Sequence, residues 1–265
     1  MSEKINYPIE SLCAALSQAI GADKPAQSEN ANELLIKYVA DKTSGSGVDR
    51  IFMYNPDAIA RWIYEKYGEK LAAVTNACEL EVPFRTVMPS VTPVCFGTMY
   101  TGASPDVHGI KAYVKPVISI DTLFDSLIRS GKKPCIVSTA GDSMSKIYLE
   151  RKMDYYFYPT VAEVNAKAAE LIKEDKYDLI AVYNGNFDAV MHRFGPESSE
   201  ALHELEENNA SFKSFYELIE ENWQAHKTLI GFAMDHGCHE IDGGCGSHGL
   251  DMDEDMLITH FYKVV

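Results

Sequence analysis

Three apolar segments with the character of buried strands are each followed within a few positions by an aspartate. They are "RIFMY" before Asp57, "LIAVY" before Asp188 and "LIGFAM" before Asp235. Short apolar runs of this kind predict strands of a parallel sheet that is covered on both faces. Because ligands bind beyond the carboxyl ends of such strands, we expect the three carboxylates at one edge of the sheet. Aspartate is also a common helix cap, so each one taken alone has an ordinary explanation.

Helical segments alternate with strands along the rest of the chain. Apolar spacing predicts two helices within residues 8–40, one over "PDAIARWIYEKYG", one over "VAEVNAKAAELIKED" and a long one from about Glu200 to Gln224. Further strands are predicted at "KPCIVST", "YYFYP" and "MLITHFYKVV", with "YYFYP" in the sheet core. This alternation predicts an α/β fold, a three-layer α/β/α sandwich with a largely parallel central sheet. We expect a single domain over residues 1–265, with residues 1–45 as a helical N-terminal extension.

The charge balance restricts the partners of this chain. The sequence has 39 acidic and 24 basic residues and a net charge of −15 at pH 7. A nucleic-acid duplex or an anionic membrane surface requires a dense basic face, so we expect neither as a partner. A small anionic substrate is compatible with the composition if metal ions supply positive charge locally.

The location is predicted from cysteines and apolar runs. No apolar run approaches the ~20 residues of a membrane span, and "MSEKINYPIESL" lacks the features of a signal peptide. The six cysteines are scattered, as expected for reduced thiols rather than a disulfide framework. We therefore predict a cytoplasmic protein that spans no membrane, and the sequence predicts no oligomeric state.

Four short motifs contain residues suited to metal chemistry. In "NFDAVMHRFGP", Asp188 and His192 are four positions apart, so on a helical turn both side chains face one cation. "DHG" supplies Asp235 and His236, and "GSHG" places His248 between two glycines. A cap plus a surface or core histidine is the more ordinary explanation of each such pair.

The fourth motif is "TPVCFGTMYTG", in which Thr92 precedes a proline and an apolar helix. Free backbone N–H groups at the start of that helix favour a bound anion. The ordinary role of a threonine at this position is a helix N-cap.

Taken together and in this order, "TPVCFGTMYTGASPDVHGI", "NFDAVMHRFGPES", "DHG" and "GSHG" resemble the alkaline phosphatase superfamily. The nearest branch is the type I phosphodiesterase/nucleotide pyrophosphatase family, and the resemblance extends from about Arg50 to the C-terminus. It implies an alkaline-phosphatase-like fold and a hydrolase of phosphate esters, with phosphodiesters favoured. A small phosphate ester or nucleotide-like molecule is the implied substrate.

The resemblance also implies two divalent metal ions, usually zinc, with manganese as an alternative. One ion would bind Asp188, His192 and His248. The other would bind Asp57, Asp235, His236 and the nucleophile Thr92, which would form a covalent phospho-threonine. Two cations about 3.5–4 Å apart stabilise the attacking and the leaving oxygen of an in-line displacement.

The sequence departs from the family pattern three residues after Thr92. Relatives commonly have asparagine there, which holds a phosphate oxygen, whereas this chain has Cys95, a poor hydrogen-bond donor. We expect Cys95 to occupy this substrate-binding position. Alternatives on the same scaffold are a phosphonate hydrolase, a phosphomonoesterase or phosphotransferase, or a metal-binding protein with weak catalysis. Sulfatase chemistry is disfavoured because "CFGTM" lacks the Cys-x-Pro-x-Arg pattern.

The other histidines and cysteines are expected to have no catalytic role. His108 and His260 are predicted to be structural, and His239 is expected in a solvated loop. Cys238 and Cys245 have the wrong spacing for a zinc clip, since no second closely spaced cysteine pair exists.

Overall fold

An eight-stranded sheet forms the centre of the computed structural model, which describes residues 5–28 and 30–265. The strands are β1 (Tyr7–Pro8), β2 (Arg50–Pro56), β3 (Leu80–Arg85), β4 (Pro134–Thr139), β5 (Asp154–Tyr158), β6 (Leu179–Asn184), β7 (Thr228–Phe232), β8 (His239–Ile241), β9 (Cys245–Ser247) and β10 (Leu257–Val264). Their order in the large sheet is β1-β3-β10-β7-β2-β6-β4-β5, and β8 and β9 form a separate hairpin. β10 is antiparallel to both neighbours, whereas the other pairings in the large sheet are parallel.

Helices pack in two groups that cover the sheet. They are α1 (Ser11–Ala19), α2 (Glu33–Thr43), α3 (Arg61–Tyr67), α4 (Ala72–Ala77), α5 (Thr92–Thr101), α6 (Pro105–His108), α7 (Leu123–Arg129), α8 (Ser143–Ile147), α9 (Val161–Glu174), α10 (Asn186–Phe194), α11 (Ser199–Asn222) and α12 (Asp253–Met256). Helices α1, α5, α7 and α8 contact one another, and α11 contacts α4, α9 and α10. Strand β4 is contacted by α7 and α8 of the first group and by α9, which packs with the second group.

The central strand β2 shows that the two helical groups lie on opposite faces. Phe52 and Tyr54 pack against Phe215 of α11, with ring centroids 5.2 and 5.6 Å away. Asn55, the next residue, accepts a hydrogen bond of 2.8 Å from the Tyr100 hydroxyl of α5. Successive side chains of a strand point to opposite faces, so β2 is covered on both. The predicted three-layer α/β/α fold with a largely parallel central sheet is confirmed.

Two helices begin at reciprocal caps that the sequence encodes. The Thr122 and Thr160 side chains accept the backbone N–H three residues later, at the start of α7 and α9. In return Asp125 and Glu163 accept the N–H of the capping threonine. Each cap satisfies two backbone donors that would otherwise lack partners at the helix start.

Two sequence predictions of individual elements were wrong in detail. The helix predicted from Pro56 begins only at Arg61, because the intervening residues bend around the end of β2. Ala58 has a positive φ of 61° there, and its N–H donates to Asp235 Oδ1 at 3.2 Å. The "YYFYP" segment forms β5, which lies at the sheet edge rather than in its core, and its side chains are half-buried or exposed.

The N-terminal segment packs closely on the rest of the chain. Helix α1 contacts α5 and α7, while α2 lies against α1, β3 and β10. The single-domain organisation, with residues 1–45 as an extension, stays a prediction. None of the helices formed by residues 5–28 and 30–265 is both long and apolar enough to span a bilayer.

Candidate metal centre

The carboxyl ends of three adjacent strands carry the predicted aspartates. β7, β2 and β6 are neighbours in the sheet, and Asp235, Asp57 and Asp188 follow them. Two groups of candidate ligands result, and within each group the ligand atoms lie within 4.8 Å of one another. We call Asp57, Asp235 and His236 the inner group, and Asp188, His192 and His248 the outer group.

The inner group is completely buried. Its three side chains have at most 2% of their surface exposed. His236 Nε2 lies 3.3 Å from Asp57 Oδ1 and 3.3 Å from Asp235 Oδ2. Two carboxylates and one imidazole therefore converge within a region that excludes bulk water.

The outer group is open on one side. His192 has 42% of its side chain exposed, whereas Asp188 has 18% and His248 has 6%. Both histidines place Nε2 at 3.3 Å from Asp188 Oδ1, and the two Nε2 atoms are 3.1 Å apart. The ring of His248 also stacks on that of His236, with centroids 4.1 Å apart, so the two groups are contiguous.

All three histidines are oriented by backbone carbonyls. In each one Nδ1 faces a carbonyl oxygen at 2.8–3.0 Å, which makes it the N–H donor: His236 to Gly237, His192 to Gly246 and His248 to Ser90. This leaves each Nε2 available as a lone-pair donor toward the centre of its group. Gly246 lies so close to helix α10 that an added Cβ would be 2.5 Å from Met191 Sδ, which explains the glycine here.

One oxygen of each carboxylate lacks a hydrogen-bond partner although it is buried. The atoms are Asp57 Oδ1, Asp188 Oδ1 and Asp235 Oδ2, the same atoms that face the histidine Nε2 atoms. A buried, unpartnered carboxylate oxygen is unfavourable unless a cation binds it. Each group offers imidazole nitrogen and carboxylate oxygen, which suit zinc and similar divalent ions. The residues present therefore fit two divalent cations.

The inner group lacks positive charge of its own. Burial and the nearby Asp188 raise the pKa of Asp57 to about 7. Burial, together with Asp57, raises the pKa of Asp235 well above its usual value. Burial also lowers the pKa of His236 to about 3, so this imidazole is neutral near pH 7. A cation would relieve the repulsion between the two carboxylates.

In the outer group, by contrast, the pKa shifts favour a charged carboxylate and protonated histidines. Burial would raise the pKa of Asp188, but the proximity of His192 and His248, whose Nε2 atoms lie 3.3 Å from Oδ1, outweighs it and holds the pKa low. The nearby Asp188 carboxylate raises the pKa of His192. Burial opposes protonation of His248, yet Asp188 raises its pKa overall. Protons and a cation would therefore compete for the same two Nε2 atoms.

Thr92 lies beside the inner group as the first residue of α5. Its Oγ1 is 3.3 Å from His236 Nε2 and 3.4 Å from Asp57 Oδ2. Val91 is the N-cap of the helix and no side chain caps it, so the ordinary N-cap role of Thr92 is not observed. The hydroxyl is directed instead toward the candidate metal ligands.

Cys95 lies one helical turn after Thr92 on α5. It is fully buried, and its thiol lies 3.9 Å from the Val87 carbonyl in the core. Burial raises the pKa of this thiol well above its usual value. Thr92, Asp235 and His236 are buried as well, so burial does not separate Cys95 from the site, and its expected substrate-binding position stays a prediction.

Three further histidines, His108, His239 and His260, have structural partners. His260 Nε2 is 2.6 Å from the Met234 carbonyl, and its Nδ1 is 3.0 Å from the Tyr262 hydroxyl. His108 Nε2 lies 3.0 Å from Thr98 Oγ1, with burial lowering its pKa to about 4. His239 was expected in a solvated loop, but its Nδ1 contacts Asp255 Oδ1 at 2.7 Å.

Two supporting residues could not be identified from the sequence motifs. Tyr183 on β6 donates its hydroxyl hydrogen to Asp57 Oδ2. Asp255, fully buried in α12, contacts His239 and accepts the Leu250 N–H at 2.9 Å. The backbone oxygen of Asp255 accepts the Gly237 N–H at 2.8 Å, so this residue holds the loop that runs from His236 to His248 at several points.

Comparisons with known proteins agree with this arrangement. A sequence profile of the type I phosphodiesterase / nucleotide pyrophosphatase family matches residues 138–259. This segment includes the whole outer group together with Asp235 and His236, and it leaves Asp57 and Thr92 outside. A search of curated proteins finds no significant match.

Two solved structures of murine ectonucleotide pyrophosphatase / phosphodiesterase 5 share the fold. One is an inactive variant in complex with AMP, with a TM-score of 0.57 at 13% identity over 74% of this chain and 59% of that chain. The other has a TM-score of 0.58 at 14% identity over 73% of this chain and 58% of that chain. This chain thus matches less than two thirds of the length of either structure.

The family profile covers the loops that carry five of the six candidate ligands, and the structural matches show a similar fold. The resemblance to the type I phosphodiesterase / nucleotide pyrophosphatase family is thus confirmed over residues 138–259, and the mostly parallel eight-stranded sheet belongs to a fold similar to that of the two murine structures.

Proposed function

We propose that this protein is a metal-dependent hydrolase of phosphodiesters that uses Thr92 as its nucleophile. The observation that carries the proposal is the convergence of two ligand groups beside the Thr92 hydroxyl, with a buried, unpartnered carboxylate oxygen in each group. Two divalent cations, zinc in our proposal, would supply the positive charge that stabilises the attacking and leaving oxygens. Asp188, His192 and His248 would hold one ion, and Asp57, Asp235, His236 and Thr92 the other.

The reaction follows from the position of the Thr92 hydroxyl. Thr92 Oγ1 attacks phosphorus, and the Oγ1–P bond forms as the P–O bond to the leaving group breaks. The hydroxyl proton passes to solvent, and the leaving oxygen takes up a proton as it departs. Water then hydrolyses the phospho-threonine and restores the hydroxyl. The murine AMP complex gives indirect support, since it is an inactive variant in which a threonine is replaced by alanine.

The charges around the site favour diesters over monoesters. Within the described part of the chain, the ion-pair partners of Asp57, Asp188 and Asp235 are histidines, and neither lysine nor arginine is among them. A monoester dianion carries one more negative charge than a diester, and arginine is the usual residue that binds it. The profile match to a nucleotide pyrophosphatase family and the AMP bound by the murine protein favour a nucleotide-like substrate.

The alternative of a metal-binding protein with weak catalysis was based on Cys95. A thiol is a poor hydrogen-bond donor, so this alternative stays open beside the proposed hydrolase. A phosphonate hydrolase or a phosphomonoesterase uses the same ligands, and the substrate panel described below distinguishes them. The cytoplasmic location stays a prediction.

The test combines metal analysis with a substrate panel. We expect about two equivalents of zinc per chain and faster turnover of bis(4-nitrophenyl) phosphate than of 4-nitrophenyl phosphate, a phosphonate monoester or an aryl sulfate. Thr92→Val preserves the shape of the side chain and removes the hydroxyl, whereas Thr92→Ser keeps a hydroxyl as the matched control. Binding of fewer than two equivalents, or unchanged diester turnover by Thr92→Val, would contradict the proposal.

A further inference from the structure

The Tyr183 hydroxyl lies directly against the inner group. Tyr183 is on β6 and pairs with Asn55 of β2, two residues before Asp57. Its hydroxyl donates a hydrogen bond to Asp57 Oδ2. Asp57 Oδ1, the other oxygen of the same carboxylate, has no hydrogen-bond partner and lies 3.3 Å from His236 Nε2. The phenol thus contacts one carboxylate oxygen and leaves the other directed into the inner group.

We propose that Tyr183 is a positioning residue that fixes the rotation of the Asp57 carboxylate, so that Oδ1 is presented to a divalent cation. This inference rests on the proposed function, in which the inner group binds a metal ion. A carboxylate bonded through one oxygen cannot rotate freely, so its free oxygen is preorganised as a ligand. Asp57 Oδ2 is also the oxygen nearest Thr92 Oγ1, at 3.4 Å, so the same hydrogen bond sets the distance between the carboxylate and the nucleophile.

The surroundings hold the Tyr183 ring in one place. The residue is buried, and Phe96 of α5 packs edge-on against its ring with centroids 5.5 Å apart. A Cβ added at Gly185 would be 2.8 Å from the Tyr183 hydroxyl oxygen, so a glycine here leaves room for the hydroxyl. A buried phenol held this way rotates little, and Asp57 is its hydrogen-bond acceptor.

Tyr183→Phe tests the proposal because it keeps the ring and its packing and removes only the hydroxyl. Tyr177→Phe is the matched control, since Tyr177 is also buried and its hydroxyl donates to an aspartate, Asp154, near the opposite end of β6. Zinc affinity is measured by competition with a chromophoric chelator, in the wild-type protein and in a His192→Ala background that disables the outer group. Melting of the zinc-free proteins shows whether the fold is affected.

We expect Tyr183→Phe to weaken zinc binding to the inner group by about 10–100-fold, the usual effect of losing a partner that orients a metal ligand. The outer group and the melting temperature without zinc should be unchanged, and Tyr177→Phe should bind zinc as the wild type does. Unchanged inner-group affinity in Tyr183→Phe overturns this proposal alone. Loss of both zinc equivalents together with a lower melting temperature indicates a merely structural role and also overturns it. A wild-type protein without zinc in the inner group overturns the proposed function as well.

Discussion

Asp255 is predicted to control the outer group through the loop that carries His248. Its carboxylate contacts His239 Nδ1 at 2.7 Å and accepts the Leu250 N–H at 2.9 Å, and the side chain is fully buried. Asp255→Asn removes the charge-assisted contact with His239. The Leu250 N–H still has an acceptor, but that hydrogen bond is then between two neutral groups. A hydrogen bond to a charged group contributes about 1.5–3 kcal/mol and a neutral one about 1 kcal/mol. We therefore expect the free energy of unfolding to fall by roughly 2–5 kcal/mol.

The zinc affinity should fall unequally in the two groups. The Gly237 N–H donates to the backbone oxygen of Asp255, a bond that Asp255→Asn leaves intact. His236, adjacent to Gly237, should therefore keep its place, whereas His248 lies two residues from Leu250, whose bond to residue 255 is weakened. The affinity of the outer group is expected to decrease more than that of the inner group.

Urea unfolding of the zinc-free proteins and zinc titration measure the two effects. His239→Gln removes one partner only, and the double variant completes a cycle whose coupling energy reports the contact between these two side chains. We expect a coupling energy of roughly 1 kcal/mol or more. A loss of stability below about 0.5 kcal/mol in Asp255→Asn, with zinc binding unchanged in both groups, would refute the reasoning.

Three further predictions concern the nucleophile, the metal and pH. Thr92→Val should lower diester kcat/KM by at least about 10³-fold while zinc-free stability stays within about 1 kcal/mol, as steady-state kinetics and urea unfolding would show. Removing zinc with a chelator should lower the free energy of unfolding by about 3 kcal/mol or more, the value expected for a ligand present at 100 times its Kd, and a melting scan with and without zinc measures this. Burial lowers the pKa of His260 to about 3. In the unfolded chain the same imidazole has a pKa of about 6.5 and takes up a proton as pH falls below that value, while the folded chain does not. The free energy of unfolding should therefore decrease by roughly 2 kcal/mol between pH 7 and pH 5. In the presence of chelator, His260→Gln should show a shallower pH dependence than wild type, and an equal slope would contradict the prediction.

The three candidate aspartates could be identified from sequence because each one follows a strand end. Apolar runs mark the strands, and the carboxyl ends of β7, β2 and β6 meet at one edge since these strands are parallel neighbours. The sequence pattern does not contain the strand order, so the adjacency of Asp57 to both Asp188 and Asp235 depended on the family resemblance. In the structure Asp57 and Asp235 belong to one ligand group, and β6, which precedes Asp188, is the neighbour of β2.

The wrong expectations arose where a tertiary contact overrides a local pattern. "PDAIARWIYEKYG" has helical spacing, but Asp235 holds the backbone of Ala58 in a loop at the site and delays the helix to Arg61.

Tyr183 and Asp255 show what a sequence pattern cannot contain. Tyr183 belongs to an apolar strand and reads as a core aromatic, and only the register of β6 against β2 places its hydroxyl on Asp57. Asp255 is one acid among several in "LDMDEDM", and its burial distinguishes it from its exposed neighbours Asp253 and Glu254. A metal ligand must be of a particular residue type, whereas a supporting residue needs only a donor or acceptor at the right point. Supporting residues are therefore identified by distances in the folded chain, and the two variants proposed at these positions test whether those distances determine metal affinity.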